Sequence, residues 1–184
     1  PLDKMSKHLP VAAMAGEDAQ FLTHHGFNYD AIKKAAERNA SKKKITRGGS
    51  TITQQTAKNV FLWPSRTWLR KGLETYFTVL IELIWSKQRI MEVYLNSIEM
   101  GIGIYGADAV AEYHFDKTAE ELTRSECARI VATFPNPRIY NSKSPSAYIR
   151  MRQRKIEREM RFIPSFPKEG KEVDPKTAKG NYYK

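Results

Sequence analysis

Two acidic residues precede two histidines in the segment EDAQFLTHHGF, which runs from Glu17 to Phe27. A carboxyl group beside apolar side chains can have its pKa tuned by partial burial, and it can then transfer a proton. Nearby cations would lower that pKa again and keep the group ionised and basic. Glu17 is therefore a candidate for proton transfer, and an acid that complements a helix dipole is the alternative. The histidines lack the spacing of a metal site, so we interpret His24 as a hydrogen-bonding strut of the loop.

A second polar cluster, GGSTITQQTAKN, predicts a helix over Thr51–Phe61. Thr51 is a favourable N-cap, and Gln54 three residues later completes a capping box. A helix N-terminus carries free backbone N–H groups and the positive end of the dipole, which makes it an anion site. The expected polar and apolar faces are Gln54, Gln55 and Lys58 on one side and Ile52 and Val60 on the other. The polar face suits a phosphate or pyrophosphate group, and an ordinary capped surface helix explains it equally well.

A third cluster lies in RKGLETYFTVLIELIW, from Arg70 to Trp85. Acidic and hydroxyl side chains recur there every four residues, at Glu74, Thr78 and Glu82, and form a narrow polar stripe on an apolar helix. A carboxylate on such a stripe faces an interior or a cleft and needs a partner, which Arg70 or Lys71 could supply. Glu74 is then either half of a structural ion pair or a second active-site acid.

The composition is that of one folded domain. The chain has 184 residues, 41% of them hydrophobic, and a net charge of +11 that favours polyanions, anionic lipid surfaces or phosphorylated substrates. A single cysteine excludes an internal disulfide framework, and no apolar segment is long enough to cross a bilayer. The glycine-rich MGIGIYG is not preceded by a strand, so it is not a dinucleotide fingerprint, and we expect backbone to pass close to a neighbour there.

Strand signals are sparse, and the predicted fold class is mainly α. The expected helices cover Asp3–Ala15, Asp30–Ala40, Thr51–Phe61, Thr67–Ser86, Lys87–Ile98, Asp108–Tyr113, Ser125–Phe134 and a strongly basic Ser144–Phe162. We expect a loosely ordered basic tail over residues 164–184.

These blocks, in this order, resemble the peptidoglycan glycosyltransferase family, which includes monofunctional cell-wall transglycosylases and a domain of class A penicillin-binding proteins. The matching blocks are EDAQFLTHHG, GGSTITQQTAKN, RKGLE, KQRIMEVYLNSIEMGIGIYG and ECARIVATFPNPRIY, which span Glu17 to Tyr140. No transpeptidase domain accompanies them, so the resemblance is to the monofunctional type. It implies a lysozyme-like helical domain over residues 1–163, with a larger and a smaller lobe around a cleft.

The resemblance also implies an activity: polymerisation of glycan strands from lipid II, with β-1,4 bonds formed by inversion and undecaprenyl pyrophosphate released. Glu17 would be the general base, and Glu74 would position cations or a divalent metal. Lys58, Arg70 and Lys71 would stabilise the pyrophosphate. The sugar and phosphate subsites would be lined by Ser50, Thr51, Gln54, Gln55 and Asn59. Mg²⁺ or Mn²⁺ could assist, no organic cofactor is expected, and the metal ligands are unknown.

Family members act at the outer, periplasmic face of the bacterial inner membrane. We therefore expect an N-terminal anchor before the printed sequence. The expected partners are the membrane surface and the growing glycan chain, and cell-envelope synthesis proteins are further candidate partners. Trp63, Trp68 and Val60–Leu62 suit contact with lipid, and core packing is their alternative.

Two other functions compete. A peptidoglycan hydrolase on the same scaffold would need one acid of raised pKa and no pyrophosphate site, which the cations Lys58, Arg70 and Lys71 argue against. The net charge and the run Lys42–Lys44 are compatible with a helical nucleic-acid-binding module, in which Glu17 would have no role. We expect no nucleic-acid partner.

Overall fold

The computed structural model describes residues 1–29, 33, 49–64 and 67–167. The helix predicted over Asp30–Ala40, apart from Lys33, and the run Lys42–Lys44 lie outside the described residues. So does the predicted tail from residue 168 onward.

Helices dominate the described part of the chain, as predicted. Within the described residues there are seven α-helices, in chain order α1 His8–Glu17, α2 Ile52–Phe61, α3 Trp68–Ile84, α4 Lys87–Ser97, α5 Ala107–Phe115, α6 Arg124–Thr133 and α7 Ala147–Glu159. A 3₁₀ turn, Leu2–Lys4, comes first, and two short strands, β1 Glu99–Gly101 and β2 Ile104–Tyr105, separate α4 from α5. None of the described helices is both long and apolar enough to traverse a bilayer.

Helix α1 lies in the core, where it packs against α6 and α7. Six of its ten residues are buried, so it is not the amphipathic helix predicted over Asp3–Ala15. The chain also interrupts that span, because the backbone N–H of Ser6 donates to the carbonyl of Ala119 at 2.8 Å and not to the preceding turn. The helix therefore starts only at His8 and ends at Glu17, which places an acidic side chain at the edge of the core.

Helix α2 packs against α3 and α4. Its N-cap is Thr51 and the predicted capping box with Gln54 is present. Ile52 is fully buried as expected, but Val60 is 41% exposed, so its predicted core position is wrong. Eight residues turn a helix by about 800°, which leaves Val60 about 80° away from the direction of Ile52.

The glycine-rich segment after α4 forms an antiparallel hairpin of β1 and β2, which the sequence did not predict. Strands of three and two residues are too short to give an alternating pattern. The expected close approach of backbone is confirmed at Gly106, which has φ +84° and where a Cβ would lie 2.8 Å from the carbonyl oxygen of Asn96.

Candidate active site

Glu17 stands at the C-terminal end of α1 and is half-buried. The amide nitrogen of Gln55, on α2, donates a hydrogen bond of 3.0 Å to Oε2 of Glu17. The carbonyl oxygen of the same amide accepts a hydrogen bond of 3.2 Å from the hydroxyl of Tyr94, on α4. Three helices thus meet in one chain of hydrogen bonds that ends on the candidate acid.

Burial raises the pKa of the Glu17 carboxyl above its ordinary value. The hydrogen bond from Gln55 and the positive charge of Arg152, on α7, lower that pKa, and the neighbouring Asp18 raises it further. The sequence indicated that cations would keep this acid ionised. The structure assigns that influence to Arg152, which lies within the predicted basic helix but was not selected as a site residue.

Asp18 has a different environment from Glu17. It is buried, and its Oδ2 accepts hydrogen bonds from Nε2 of His24 at 2.8 Å and from the backbone N–H of Ile52 at 3.1 Å. His24 is therefore a hydrogen-bonding strut, as predicted. The backbone N–H of Ile52, at the start of α2, therefore binds the chain's own carboxylate, which favours the capped helix among the two interpretations of this segment.

Two other predicted site residues at this helix start are used in its cap. Thr51 and Gln54 are buried, and Oγ1 of Thr51 donates to the carbonyl of Gly26 at 2.7 Å. The side-chain Oε1 of Gln54 in turn accepts a hydrogen bond from the backbone N–H of Thr51 at 3.0 Å. The remaining predicted residues of this segment, Ser50, Lys58 and Asn59, are exposed. Of the whole cluster, Gln55 is the residue that the structure joins to Glu17.

The stripe on α3 faces inward, as its spacing predicts. Glu74 is 4% exposed, and its Oε1 pairs with Nζ of Lys71 at 2.5 Å. Of the two expected partners, Arg70 and Lys71, the ion partner of Glu74 is therefore Lys71. Arg70 is half-buried, and within the described residues its Nε is buried without a hydrogen-bond partner. A buried guanidinium N–H without a partner can donate a hydrogen bond to a bound anion. Lys71 and Glu74 are close to Arg70 in the sequence.

Glu82, the last member of the stripe, connects three helices and was not selected as a site residue. Its Oε1 accepts from the hydroxyl of Thr53 at 2.5 Å and from Nζ of Lys87 at 2.8 Å. The same ammonium donates to the carbonyl of His24 at 2.7 Å. Burial lowers the pKa of Lys87 and the contact with Glu82 opposes that effect. This network fixes the loop that carries Asp18 and His24.

A metal cage is not available in the described part of the chain. No three His, Cys, Asp or Glu side chains there are close enough to hold an ion. Glu74 is already paired with Lys71, and Glu17 accepts from Gln55. These donors do not fit a protein-held Mg²⁺ or Mn²⁺.

A cavity of about 240 Å³ lies elsewhere, between the hairpin and the segment after α6. Its lining includes Gly101, Ile104, His114, Arg138, Tyr140 and Asn141. None of the predicted site residues lines it.

Comparison with known proteins gives the same family that the motifs suggest. The transglycosylase family matches residues 1–161. A biosynthetic peptidoglycan transglycosylase of Bacteroides thetaiotaomicron is 59% identical over 175 residues, which cover 95% of this chain and 70% of the relative. Proteins of the same name from Caulobacter vibrioides and Rhodospirillum centenum are 54% and 52% identical, over 85% and 89% of this chain and 68% and 70% of their own lengths. The chain belongs to the transglycosylase family.

Proposed function

We propose that this chain is a peptidoglycan glycosyltransferase that polymerises glycan strands from lipid II. Its relatives from three bacteria are named biosynthetic peptidoglycan transglycosylases. The observation that carries the proposal is the environment of Glu17, a half-buried acid that accepts one amide hydrogen bond and forms no salt bridge within the described residues. Such an acid is available for a substrate proton.

Glu17 acts as the general base in this reaction. It takes the proton of the acceptor sugar's 4-hydroxyl while that oxygen attacks the anomeric carbon of the growing chain. The bond from that carbon to the pyrophosphate oxygen breaks, and undecaprenyl pyrophosphate leaves with the electron pair, so configuration inverts. Burial raises the pKa of Glu17, and a base of higher pKa accepts a proton more readily at neutral pH.

The pyrophosphate is held by the cations on α2 and α3. The buried Nε of Arg70, without a partner in the described residues, supports an anion site there. Glu74 positions the ammonium of Lys71, with which it is paired at 2.5 Å. Lys58, exposed on α2 three residues after Gln55, supplies a further charge. Preorganised cations stabilise the charge that develops on a leaving group. A divalent ion, if one takes part, would arrive on the pyrophosphate.

The sugar subsites lie beside Glu17. Gln55 can contact the acceptor sugar because it is half-buried and adjacent to the acid. Two further exposed residues are assigned to these subsites: Ser50, which precedes the N-cap of α2, and Asn59, which lies four residues after Gln55 on the same helix. The buried Thr51 and Gln54 support these subsites through the cap. We assign the domain to residues 1–163, with lysozyme-like larger and smaller lobes around the cleft that holds the substrate.

Helix α3 supports a membrane surface as the place of action. It is inverted relative to an ordinary surface helix, because its polar residues Glu74 and Thr78 are buried. Its outer face is apolar and exposed at five positions that lie within about 100° of one another on the helix. This apolar stripe comprises Trp68, Leu69, Tyr76, Val79 and Leu83. A lipid substrate and an exposed apolar stripe on a cationic protein both favour action at a membrane surface. We propose the outer face of the cytoplasmic membrane, because the family that the motifs resemble acts there.

Two substrates separate this function from hydrolysis of finished glycan. Incubated with labelled lipid II, the protein is expected to build long glycan strands, and incubated with finished peptidoglycan it is expected to release no fragments. Release of fragments together with failure to extend lipid II would replace the transferase with a hydrolase.

A further inference from the structure

Tyr94 is a fully buried residue of α4. Its ring packs edge-on against that of Phe134, with centroids 6.3 Å apart. Its hydroxyl reaches Oε1 of Gln55 at 3.2 Å, and Nε2 of Gln55 reaches Oε2 of Glu17 at 3.0 Å. We propose that Tyr94 is a positioning residue, whose hydroxyl holds the Gln55 amide with its N–H group, and not its carbonyl, toward the Glu17 carboxylate.

The amide needs such a restraint because its two ends have opposite preferences. An ionised carboxylate only accepts hydrogen bonds, so it requires the N–H end of Gln55. A protonated carboxyl can donate, so it is compatible with the carbonyl end. The buried hydroxyl of Tyr94 donates to the carbonyl of Gln55, and a rotated amide would leave the phenolic proton without its acceptor. The orientation that satisfies Tyr94 is therefore the one that favours the ionised form of Glu17.

Other groups around Glu17 influence its charge without fixing the amide. Arg152 acts from α7, and its Nε is held by the carbonyl of Ala132 at 3.1 Å. Asp18 acts from the adjacent position, where its Oδ2 is bound by His24 and by the backbone of Ile52. None of these contacts involves the hydroxyl of Tyr94, so a change in the titration of Glu17 on its removal should report on the amide.

The inference rests on the proposed role of Glu17 as the general base, and Tyr94→Phe tests it. The variant keeps the ring and its contact with Phe134 and loses only the hydroxyl. We expect the acidic limb of the pH profile of kcat/KM for lipid II polymerisation to move to higher pH. Activity on that limb should fall roughly two- to fivefold, the effect of one neutral hydrogen bond, and the high-pH plateau should change by less than about twofold. Tyr113→Phe, an exposed tyrosine of α5, is the matched control and should leave the profile unchanged.

A direct titration separates this inference from the proposed function. The Glu17 carboxyl carbon can be followed by ¹³C NMR in glutamate-labelled protein and assigned by its loss in Glu17→Gln. Tyr94→Phe should move its midpoint upward, whether or not Glu17 is the base. An unchanged midpoint in a folded Tyr94→Phe protein would overturn the inference. Full polymerisation by Glu17→Gln would overturn the proposed function alone.

Gln55→Met provides a second route that does not depend on the folding of Tyr94→Phe. It removes the amide while keeping a side chain of similar length, so the midpoint of Glu17 should rise as it does without the hydroxyl. In the Gln55→Met background, Tyr94→Phe should add no further shift, because the group it positions is gone. An unchanged midpoint in Gln55→Met, or a full additional shift in the double variant, would contradict the inference.

Discussion

Glu17 and Asp18 are consecutive acids with opposite environments. Asp18 is buried and receives hydrogen bonds from His24 and from the start of α2, whereas Glu17 is half-buried and receives one from Gln55. A buried carboxylate whose Oδ2 already accepts two hydrogen bonds from its own chain is a structural group. A carboxyl with free lone pairs and a raised pKa can take a proton.

Asp18→Asn should destabilise the fold. The variant loses the negative charge at the N-terminus of α2 and weakens the bond to His24, so the free energy of unfolding should fall by about 1–3 kcal/mol. Urea denaturation at neutral pH measures this change. Asp3→Asn, an exposed acid, is the control and should stay within about 0.5 kcal/mol of wild type. Equal stability of the two variants would refute the structural role of Asp18.

Glu17→Gln should stabilise the fold, and the gain should depend on pH. The pKa of Glu17 in the folded protein is raised above the ordinary value, so the folded state binds this proton more tightly than the unfolded chain does. Ionisation therefore costs stability as pH rises from the ordinary value through the folded value, and the cost is complete above it. Glutamine does not ionise, so the advantage of the variant should be small near pH 4 and largest near pH 8.

Thermal unfolding of wild type and Glu17→Gln across that range checks this dependence. Glu120→Gln, at an exposed position, should show no comparable trend. A gain that shrinks with rising pH would mean that Glu17 is stabilised, and not strained, in its ionised form.

At the level of elements, α3 differs most from an ordinary surface helix. Its buried side carries Glu74 and Thr78, and its exposed side carries the apolar stripe, in which Trp68 is 92% and Leu83 77% exposed. Apolar side chains left in water this way contribute nothing to folding stability, so their removal should not unfold the protein.

Trp68→Gln combined with Leu83→Gln should weaken binding to lipid vesicles. Each replacement removes apolar area that can enter the headgroup region, so the pair should reduce the partition coefficient about tenfold or more on vesicles with anionic lipid. Cosedimentation with such vesicles measures it, and circular dichroism verifies folding. Tyr113→Gln on α5 is the control. Undiminished vesicle binding by the double variant would remove the stripe from the membrane account.

Local sequence signals predicted two features of the described helices correctly. The capping box over Thr51 and Gln54 predicted the start of α2, and the four-residue spacing of Glu74, Thr78 and Glu82 predicted their inward face. The β-hairpin was missed because its strands are only three and two residues long. The sequence did not show that the backbone N–H of Ile52 is used by Asp18, because that residue lies 34 positions earlier in the chain.

The contacts that define Glu17 could not be predicted from the sequence, because they join distant positions. Gln55 is 38 residues from Glu17, and Tyr94 is 39 residues from Gln55. Tyr94 stands in an apolar run that predicts only a core face. Arg152 belongs to a helix rich in exposed basic residues, and nothing in its spacing separates it from Arg150 or Arg154. Tertiary packing, and not a local pattern, selects it.

At the scale of the whole molecule, the chain combines a core built on α1, a cationic exterior with net charge +11 and an apolar stripe on α3. In the proposed function, each feature would bind one part of an amphiphilic substrate. The acid at the end of α1 would contact the sugar hydroxyl, the cations would contact the pyrophosphate, and the stripe would contact the lipid. We expect all three parts to serve one reaction, in which ionised Glu17 is the general base.

The rate of lipid II polymerisation by Glu17→Gln, with Glu120→Gln as the matched control, decides whether Glu17 is the general base. A positioned general base contributes about 100- to 10,000-fold, so Glu17→Gln should lose at least about 100-fold in kcat while its fold is kept, and Glu120→Gln should match wild type. Polymerisation by Glu17→Gln within a few fold of the wild-type rate would contradict the account.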